Sequence, residues 1–143
     1  MIKSFNLSKL DSVMKIWLDT NIEAHDFIQK EYWINNYDLV KQMLPLADIY
    51  IFEENNVIKG FIGITEGNYI AGLFVKKEYQ GEGIGYKLID YCKCKYLFLK
   101  LDVFMKNKNA VNFYHKNGFK VLDEHFNEET NEIEYTMLFH NKI

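Results

Sequence analysis

The sequence predicts an α/β protein, of the α+β kind, in which about four helices flank a mixed, mostly antiparallel central sheet of about six or seven strands. Three observations predict this arrangement. An amphipathic helix pattern opens the chain, three strand-like segments separated by turn residues follow, and a glycine loop then leads from a strand into another amphipathic pattern. A strand, loop, helix and strand in this order require a right-handed crossover, so part of the sheet is predicted to be parallel.

Length and composition predict one domain with a substantial core. The chain has 143 residues, close to the commonest domain size, and residues 1–143 are expected to form a single domain. Hydrophobic residues make up 48% of the chain and aromatic residues 16%. This apolar content supplies enough surface for a buried core and argues against disorder.

The charge pattern argues against nucleic acid or an anionic membrane as a partner. The net charge is -3, and all 17 basic residues are lysines. Without arginine there is no guanidinium group to hold a phosphate with two hydrogen bonds, so a phosphate site must depend on backbone amides and lysines. Neither a secretory leader nor a membrane-spanning apolar run is recognisable, which favours the cytoplasm.

The cysteines and histidines do not indicate a metal site. Cys92 and Cys94 stand two apart in a helical stretch and point in different directions, which argues against a local disulfide. His115, His125 and His140 lack the spacing of metal ligands. No metal is predicted.

The first part of the chain is predicted to form a short strand at Ile2–Phe5 and then two helices. Ser8 begins a capping pattern ahead of the first helix. The apolar residues at helical spacing that mark this helix are Leu10, Val13, Met14, Trp17 and Leu18. A second helix is expected to reach Met43, because Pro45 stops it.

A meander of three antiparallel strands is predicted next. The segments Ile49–Phe52 and Val57–Ile64 are rich in β-branched and aromatic residues, and Glu54–Asn56 between them has turn chemistry. A second turn at Gly67–Asn68 leads into a strand at Tyr69–Val75.

The remaining elements are a crossover helix, a strand, a short helix and a hairpin. The crossover helix is marked by Ile84, Leu88, Ile89 and Cys92. A strand at Leu97–Val103 follows it. The short helix ends at Gly118, a candidate for a left-handed C-terminal cap. The hairpin comprises Lys120–Phe126 and Glu132–Phe139.

The loop from Gln80 to Gly85 has the composition of an anion site. Consecutive backbone amides at the start of a helix, with the helix dipole behind them, bind phosphate groups. Gly81, Gly83 and Gly85 leave the backbone open to such a ligand. Glycines that only shape a turn and cap a helix would give the same pattern, so the glycines alone leave both interpretations open.

Two other phosphate-binding motifs are excluded. The dinucleotide fingerprint requires glycine or alanine where Tyr86 stands, and the P-loop requires Gly-Lys followed by serine or threonine. The chain instead reads Gly85-Tyr86-Lys87. The loop therefore argues against a dinucleotide dehydrogenase and against an NTPase.

Two segments of the chain carry a family resemblance. They are Gln80-x-x-Gly83-x-Gly85 and Asn107-x-x-Ala110-x-x-Phe113-Tyr114-x-x-x-Gly118-Phe119. The first is similar to the Q/R-x-x-G-x-G/A signature of the GNAT acetyltransferase superfamily, and the second resembles its downstream motif at the usual separation. With the order of elements, the resemblance covers nearly the whole chain. It implies the GNAT fold, in which a β-bulge splays the fourth strand from the fifth.

The resemblance implies acetyl-coenzyme A as co-substrate, with its pantetheine arm bonded like a strand in the gap between the splayed strands. Gln80 would support the loop, and Lys76 and Lys77 are candidates for the 3′-phosphate, although exposed lysines beside a turn are more often solvated. The implied cofactor-binding residues are Leu73, Phe74, Val75, Gln80, Gly81, Glu82, Gly83, Ile84, Gly85, Tyr86, Asn107 and Tyr114.

Acetyl transfer to an amine needs a proton acceptor, a stabilised oxyanion and a proton donor for the departing thiolate. The resemblance assigns the donor to Tyr114, whose alternative is an ordinary helix tyrosine. Asp102, in the fifth strand, is the first candidate for the proton acceptor, because some relatives carry a glutamate in this strand that acts through water. A strand-end aspartate bonded to the following loop would look the same. Glu66, at the end of the third strand, is another carboxylate candidate for facing the amine.

The amine is expected to bind near the first two helices, where this family builds its acceptor pocket. The residues implied there are His25, Phe27 and Tyr32, together with Glu66. His25 would orient the amine or act as a base, although a lone loop histidine more often has a structural role. The segment resembles a branch of small bacterial members, some assigned to protein lysines or small amines.

The sequence therefore predicts an enzyme that transfers an acetyl group from acetyl-CoA to a primary amine by direct attack in a ternary complex. The amine belongs either to a peptide or protein or to a small molecule. The alternative is a non-catalytic module that binds or senses acyl-CoA, and the retention of Tyr114 argues against it. A monomer or a homodimer is expected, since the C-terminal hairpin offers edge strands for pairing.

Overall fold

The computed structural model describes residues 1–141, which form four α-helices and seven strands. In chain order they are β1 (Ile2–Ser4), α1 (Leu10–Ala24), α2 (Lys30–Met43), β2 (Asp48–Glu54), β3 (Val57–Thr65), β4 (Tyr69–Val75), α3 (Ile84–Lys93), β5 (Phe98–Phe104), α4 (Lys108–Lys116), β6 (Lys120–Asn127) and β7 (Glu132–His140). The predicted class and order of elements are confirmed.

The strands form one mixed sheet in the order β1-β2-β3-β4-β5-β7-β6. Neighbouring strands are antiparallel except β4 and β5, which are parallel. Helix α3 connects this parallel pair, so it is the crossover that the glycine loop predicted. The C-terminal hairpin places β7 beside β5 and leaves β6 at the edge.

The sheet separates two hydrophobic cores. Successive residues of a strand point to opposite faces, so the central strands contribute to both cores. The core under α1 and α2 contains Val13, Met14, Ile16, Trp17, Trp33, Leu44, Ile49, Ile51, Ile58 and Phe61. The core under α3 and α4 includes Ile62, Ile64, Ile70, Ile84, Leu88, Ile89, Leu99, Leu101, Tyr114, Phe119 and Met137. Each fully buried large apolar side chain stabilises the fold by about 1.5–3 kcal/mol.

The start of α1 differs from the sequence prediction. The Asn6 side chain, and not Ser8, is the cap, since it accepts a hydrogen bond from the Ser8 backbone amide at 3.1 Å and begins a 3₁₀ turn at Leu7–Lys9. Helix α1 then begins at Leu10 without a side-chain cap. The Ser8 prediction was wrong because an asparagine side chain readily bonds the backbone amide two residues further on.

Strand β4 carries a bulge and then parts from β5. The register of β4 against β3 shifts between Ile70 and Gly72, which leaves Ala71 as an extra residue. Among the described residues, the register of β4 against β5 consists of Tyr69 opposite Lys100. The two strands are therefore joined near the start of β4 and are separate at their C-terminal ends.

Helix α4 is fixed at both ends. At its start, the Asn107 side chain accepts a hydrogen bond from the Ala110 backbone amide at 3.3 Å. At its end, Gly118 has a φ of +90°, which confirms the predicted left-handed cap. Tyr114 lies in the last turn of this helix, close to the Gly118 cap.

Candidate active site

A cavity of about 720 Å³ opens where β4 and β5 part, a volume typical of sites for small ligands. Its walls come from the end of α1, from β4, from the glycine loop with the start of α3, and from α4. Of the residues that the family resemblance implied for the cofactor, all except Glu82 line this cavity. Of the two candidate lysines, Lys77 lines it and Lys76 does not.

The glycine loop presents bare backbone to the cavity at the start of α3. Gly81 and Gly83 both have a φ of +84°, and a Cβ built on either would have no neighbouring atom within 4 Å. Helix α3 begins at Ile84 with Gly83 at its N-cap, so the first amides of the helix have no partner within it. This open start of a helix can hold an anion such as a phosphate group, and side chains at Gly81 and Gly83 would occupy part of that space.

Gln80 and Gly85 shape the cradle from its two ends. The Gln80 side chain donates a hydrogen bond to the Val75 carbonyl at 2.9 Å, which ties the loop to the last residue of β4. A Cβ on Gly85 would lie 3.3 Å from the Phe113 ring. The absence of a side chain at Gly85 therefore serves the close approach of α3 and α4, in addition to the cavity that Gly85 lines.

Tyr114 projects from α4 into the wall of the cavity. Its side chain is buried, with its ring centroid 5.3 Å from that of Phe113 and 5.4 Å from that of Phe119. Burial raises the pKa of the Tyr114 hydroxyl above its ordinary value. A tyrosine hydroxyl is protonated at neutral pH in any case, and burial makes it a weaker acid, so it can donate only to a base that forms during the reaction.

A hydrogen bond joins the segment after α1 to the start of α4. The side-chain nitrogen of Asn107 lies 3.1 Å from Nε2 of His25, and both residues line the cavity. The His25 ring stacks on Trp33 at 5.2 Å and meets the Phe104 ring edge-on at 5.0 Å. Burial lowers the pKa of His25 to about 4, against smaller raising effects of the Asn21 backbone and of Asp26.

Asp102 lies on the opposite face of β5 from Leu101, which is buried in the core under α3 and α4. Its carboxylate accepts hydrogen bonds from the Tyr69 hydroxyl at 2.6 Å and from the Thr136 hydroxyl. Burial, together with the bond to Asp102, raises the pKa of Tyr69. Nε2 of His125 lies 3.9 Å from the carboxylate. Both carboxylate oxygens of Asp102 therefore have a hydrogen-bond partner. Asp102 does not line the cavity.

The four residues predicted to bind the amine substrate do not lie together. Among them only His25 lines the cavity, while Phe27 meets the His25 ring edge-on at 5.7 Å. The Tyr32 hydroxyl donates to Glu129 in the β6–β7 turn at 3.1 Å. Glu66 has a φ of +54° in the turn before β4, at the end where β4 and β5 are joined. The structure thus separates Glu66 from the cavity, which opens at the other end of β4.

Sequence reasoning missed the contribution of the last turns of α1. Thr20 and Asn21 are buried and line the cavity. Their side chains donate to backbone carbonyls four residues earlier, Thr20 to Ile16 and Asn21 to Trp17. The signal was present, because both polar residues continue the apolar stripe through Trp17 at helical spacing. Polar side chains on a buried stripe that reaches the end of a helix indicate a wall of a site.

Within residues 1–141 no group of three histidine, cysteine, aspartate or glutamate side chains is arranged to hold a metal ion. The helices in the same range are all too short or too polar to cross a membrane.

A parallel strand pair that parts beside a glycine-lined helix start is the arrangement that the resemblance to GNAT acetyltransferases implied. A family model described as an acetyltransferase (GNAT) domain matches residues 23–136, and the chain belongs to this family. It is an acetyl-CoA-dependent acetyltransferase.

Relatives in sequence and in structure agree with this membership. The chain is 34% identical over 131 residues to the peptidyl-lysine N-acetyltransferase YiaC of Escherichia coli, covering 91% of this chain and 90% of that protein. It is 31% identical over 112 residues to the peptidyl-lysine N-acetyltransferase YjaB of Escherichia coli, covering 78% and 76%.

Solved structures share the fold along almost the whole chain. The solution structure of the apo form of YjaB from Escherichia coli matches with a TM-score of 0.84 at 25% identity, covering 97% of this chain and 96% of that one. The PaiA N-acetyltransferase from Thermoplasma acidophilum, in complex with coenzyme A, matches with a TM-score of 0.83 at 20% identity, covering 99% and 98%. The predicted GNAT fold and the use of acetyl-CoA are confirmed.

Proposed function

We propose that this protein transfers the acetyl group of acetyl-CoA to the side-chain amine of a lysine in a peptide or protein, by direct attack in a ternary complex. The observation that carries the proposal is the cavity beside the edge of β4 that β5 leaves free, with the glycine cradle at one end and Tyr114 in its wall. The names of two relatives, both peptidyl-lysine N-acetyltransferases, support lysine as the amine substrate.

In this proposal, the chain binds acetyl-CoA through backbone hydrogen bonds more than through charged side chains. The amides from Gly81 to Tyr86 bind the pyrophosphate, because they are unpartnered at a helix start and no side chain covers them. The freed edge of β4 at Leu73, Phe74 and Val75 bonds the pantetheine arm, since β5 does not pair with it there. The chain has no arginine, which makes this backbone cradle the main phosphate contact.

Tyr114 is the proposed proton donor to the departing thiolate of coenzyme A. It lines the cavity, and its hydroxyl is protonated at neutral pH. A free thiolate, with an ordinary thiol pKa of about 8.5, is a weaker base than a phenolate, so the transfer has to be coupled to cleavage of the carbon–sulfur bond. The new bond joins the lysine nitrogen to the carbonyl carbon, the carbon–sulfur bond breaks, and the amine releases a proton.

Asp102 is the proposed acceptor of that proton, acting through water. It lies on the face of β5 away from α4, so the amine and Tyr114 would approach the thioester from opposite sides of the sheet. The bonds from Tyr69 and Thr136 fix the orientation of the carboxylate. A water relay is needed because Asp102 does not reach the cavity itself.

Asp102→Asn is expected to lower kcat by about 10²-fold, the usual size of a lost general base, with little change in acetyl-CoA affinity. Asparagine keeps the shape and an acceptor oxygen for Tyr69 or Thr136, so the thermal midpoint should change little. Glu66→Gln is the comparison, because Glu66 is the other carboxylate that the sequence suggested. A larger loss of kcat in Glu66→Gln than in Asp102→Asn would transfer the assignment to Glu66.

Negative charge surrounds the side from which the amine would approach, which favours a cationic acceptor. Asp26 lines the cavity beside His25. The β6–β7 hairpin adds Glu129, bonded to Tyr32, and Glu132, which pairs with Lys106 at 3.2 Å. Asp26 and Glu129 are exposed, so a peptide has room to approach them, whereas the Glu132 carboxylate is 13% exposed and is neutralised by Lys106.

The identity of the amine substrate is tested by following free thiol release from acetyl-CoA with a peptide that has a blocked N-terminus and one lysine. The control peptide has arginine in place of that lysine, which keeps the charge and removes the nucleophilic amine. Thiol release is expected with the lysine peptide alone. Faster release with spermidine or an aminoglycoside than with any lysine peptide would contradict the peptide assignment and leave the acetyltransferase intact.

A further inference from the structure

The hydrogen bond between His25 and Asn107 joins residues 82 positions apart in the chain. His25 lies on the side of the cavity predicted for the amine, and Asn107 lies on the side predicted for the cofactor. We infer that His25 is a positioning residue for acetyl transfer: its ring accepts a hydrogen bond from the Asn107 amide and holds that amide in place for the thioester. The inference rests on the proposed function and on the role that the family resemblance implies for Asn107, a contact with acetyl-CoA.

The direction of this hydrogen bond follows from the other contact of Asn107. The Asn107 side-chain oxygen accepts the Ala110 backbone amide at 3.3 Å, so the nitrogen is the atom that faces His25. That nitrogen can only donate, and Nε2 of His25 must therefore be the unprotonated acceptor. The proton of the neutral ring is then on Nδ1, which is buried.

This arrangement leaves Asn107 with a defined remaining capacity. An amide side chain has two donor hydrogens and two acceptor lone pairs. His25 takes one hydrogen and the Ala110 amide takes one lone pair. One donor and one acceptor remain on a residue that lines the cavity, and the clamp at both ends of the amide fixes the directions in which they point.

The surroundings of His25 argue against its use as the proton acceptor for the amine. One ring nitrogen is occupied by Asn107 and the other is buried. Trp33 covers one face of the ring, and Phe27 and Phe104 meet it edge-on. An imidazole in this setting stays neutral through the neutral range, because burial lowers its pKa to about 4.

Two variants test whether His25 positions Asn107 or accepts the proton of the amine. His25→Phe keeps a flat ring against Trp33 but removes the acceptor, while His25→Gln places an amide oxygen near the position of Nε2. Loss of one such hydrogen bond is expected to weaken acetyl-CoA binding, measured by calorimetry, by about five- to tenfold in His25→Phe. His25→Gln should recover most of the affinity. The pH profile of kcat should keep the shape of the wild type in both variants.

Asn107→Ser distinguishes failure of the inference from failure of the proposed function. Serine still caps α4 but is too short to reach His25. The expected result is weaker acetyl-CoA binding in Asn107→Ser, with no further loss when His25→Phe is added. Wild-type affinity in Asn107→Ser would overturn the assigned contact between Asn107 and acetyl-CoA, and the inference with it. Wild-type affinity in His25→Phe alone, or loss of the acidic limb of its pH profile, would overturn only the inference.

The tautomer can be read in the unmodified protein, so the test does not depend on the folding of any variant. Nitrogen NMR of the histidine rings is expected to show His25 with a protonated Nδ1 and an unprotonated Nε2 at pH 7, and still neutral at about pH 5.5, one unit below the ordinary pKa of histidine. A ring protonated on Nε2, or one that titrates near its ordinary pKa, would contradict the proposed hydrogen bond.

Discussion

Tyr114→Phe is expected to lower kcat for acetyl transfer by about 10²- to 10⁴-fold, the range for loss of a general acid, while acetyl-CoA affinity changes by less than about threefold. The substitution removes only the hydroxyl. The ring, which packs between Phe113 and Phe119, is retained, so the thermal midpoint should be close to that of the wild type. The measurement is thiol release at saturating acetyl-CoA and lysine peptide, with calorimetry for affinity.

Tyr79→Phe is the matched control for this prediction. Tyr79 also lines the cavity, yet it has no assigned role, and the Lys59 ammonium lies over its ring at 4.6 Å. Its variant should retain kcat. If Tyr114→Phe retains kcat within about threefold, the hydroxyl is not the proton donor. If affinity and kcat/KM fall together while kcat is unchanged, the hydroxyl contributes to binding and not to the chemical step.

Gly83→Asp is expected to weaken acetyl-CoA binding by about 100-fold or more, with Gly67→Asp close to the wild type. Both glycines have positive φ, +84° and +82°, and a Cβ on either meets no atom within 4 Å. Aspartate is among the residues that tolerate this conformation best, so the conformational cost to folding is similar at the two sites. Only the carboxylate at residue 83 faces the place proposed for the pyrophosphate, where two anions repel each other.

Affinity measured by calorimetry, together with the thermal midpoint of each variant, checks this pair. A negative charge at the start of α3 interacts favourably with the helix dipole, so Gly83→Asp should not unfold the helix. Equal losses of affinity in both variants would point to a general effect on folding. Wild-type affinity in Gly83→Asp would contradict the proposed pyrophosphate cradle.

The fold was largely predictable because its signals are local. The glycine loop lies between a strand and an amphipathic helix, and this order alone predicted the parallel pair β4 and β5. Gly118 was identifiable as a helix cap from its position after an apolar pattern. The start of α1 was missed because Asn6 and Ser8 compete for the same turn, and short polar side chains give the same signal at either position.

The site was predictable where a motif specifies it and not where distant residues meet. The partners of Asp102 are Tyr69 and Thr136, which come from two other strands and could not be paired from spacing. The same holds for His25 and Asn107, whose contact depends on how the end of α1 meets the start of α4. Glu66 looked like an acceptor residue from its place near β4, but the direction of the strand takes it away from the cavity.

Some predictions lie beyond the structural observations. It stays a prediction that residues 1–143 form a single domain. The choice between a monomer and a homodimer also stays open to measurement. The C-terminal hairpin does leave β6 at the edge of the sheet, with Val121, Leu122 and Phe126 exposed. Sedimentation of the purified protein would decide the oligomeric state.

The central claim is that the acetyl group moves from acetyl-CoA to a lysine side chain in a single ternary complex. Mass spectrometry of a one-lysine peptide, sampled beside thiol release, tests it most directly. The account predicts acetylation on the lysine side-chain nitrogen at the same rate as thiol release, with no acetylated protein intermediate. Thiol release without an acetylated peptide, or acetyl-CoA binding with neither product, would contradict it.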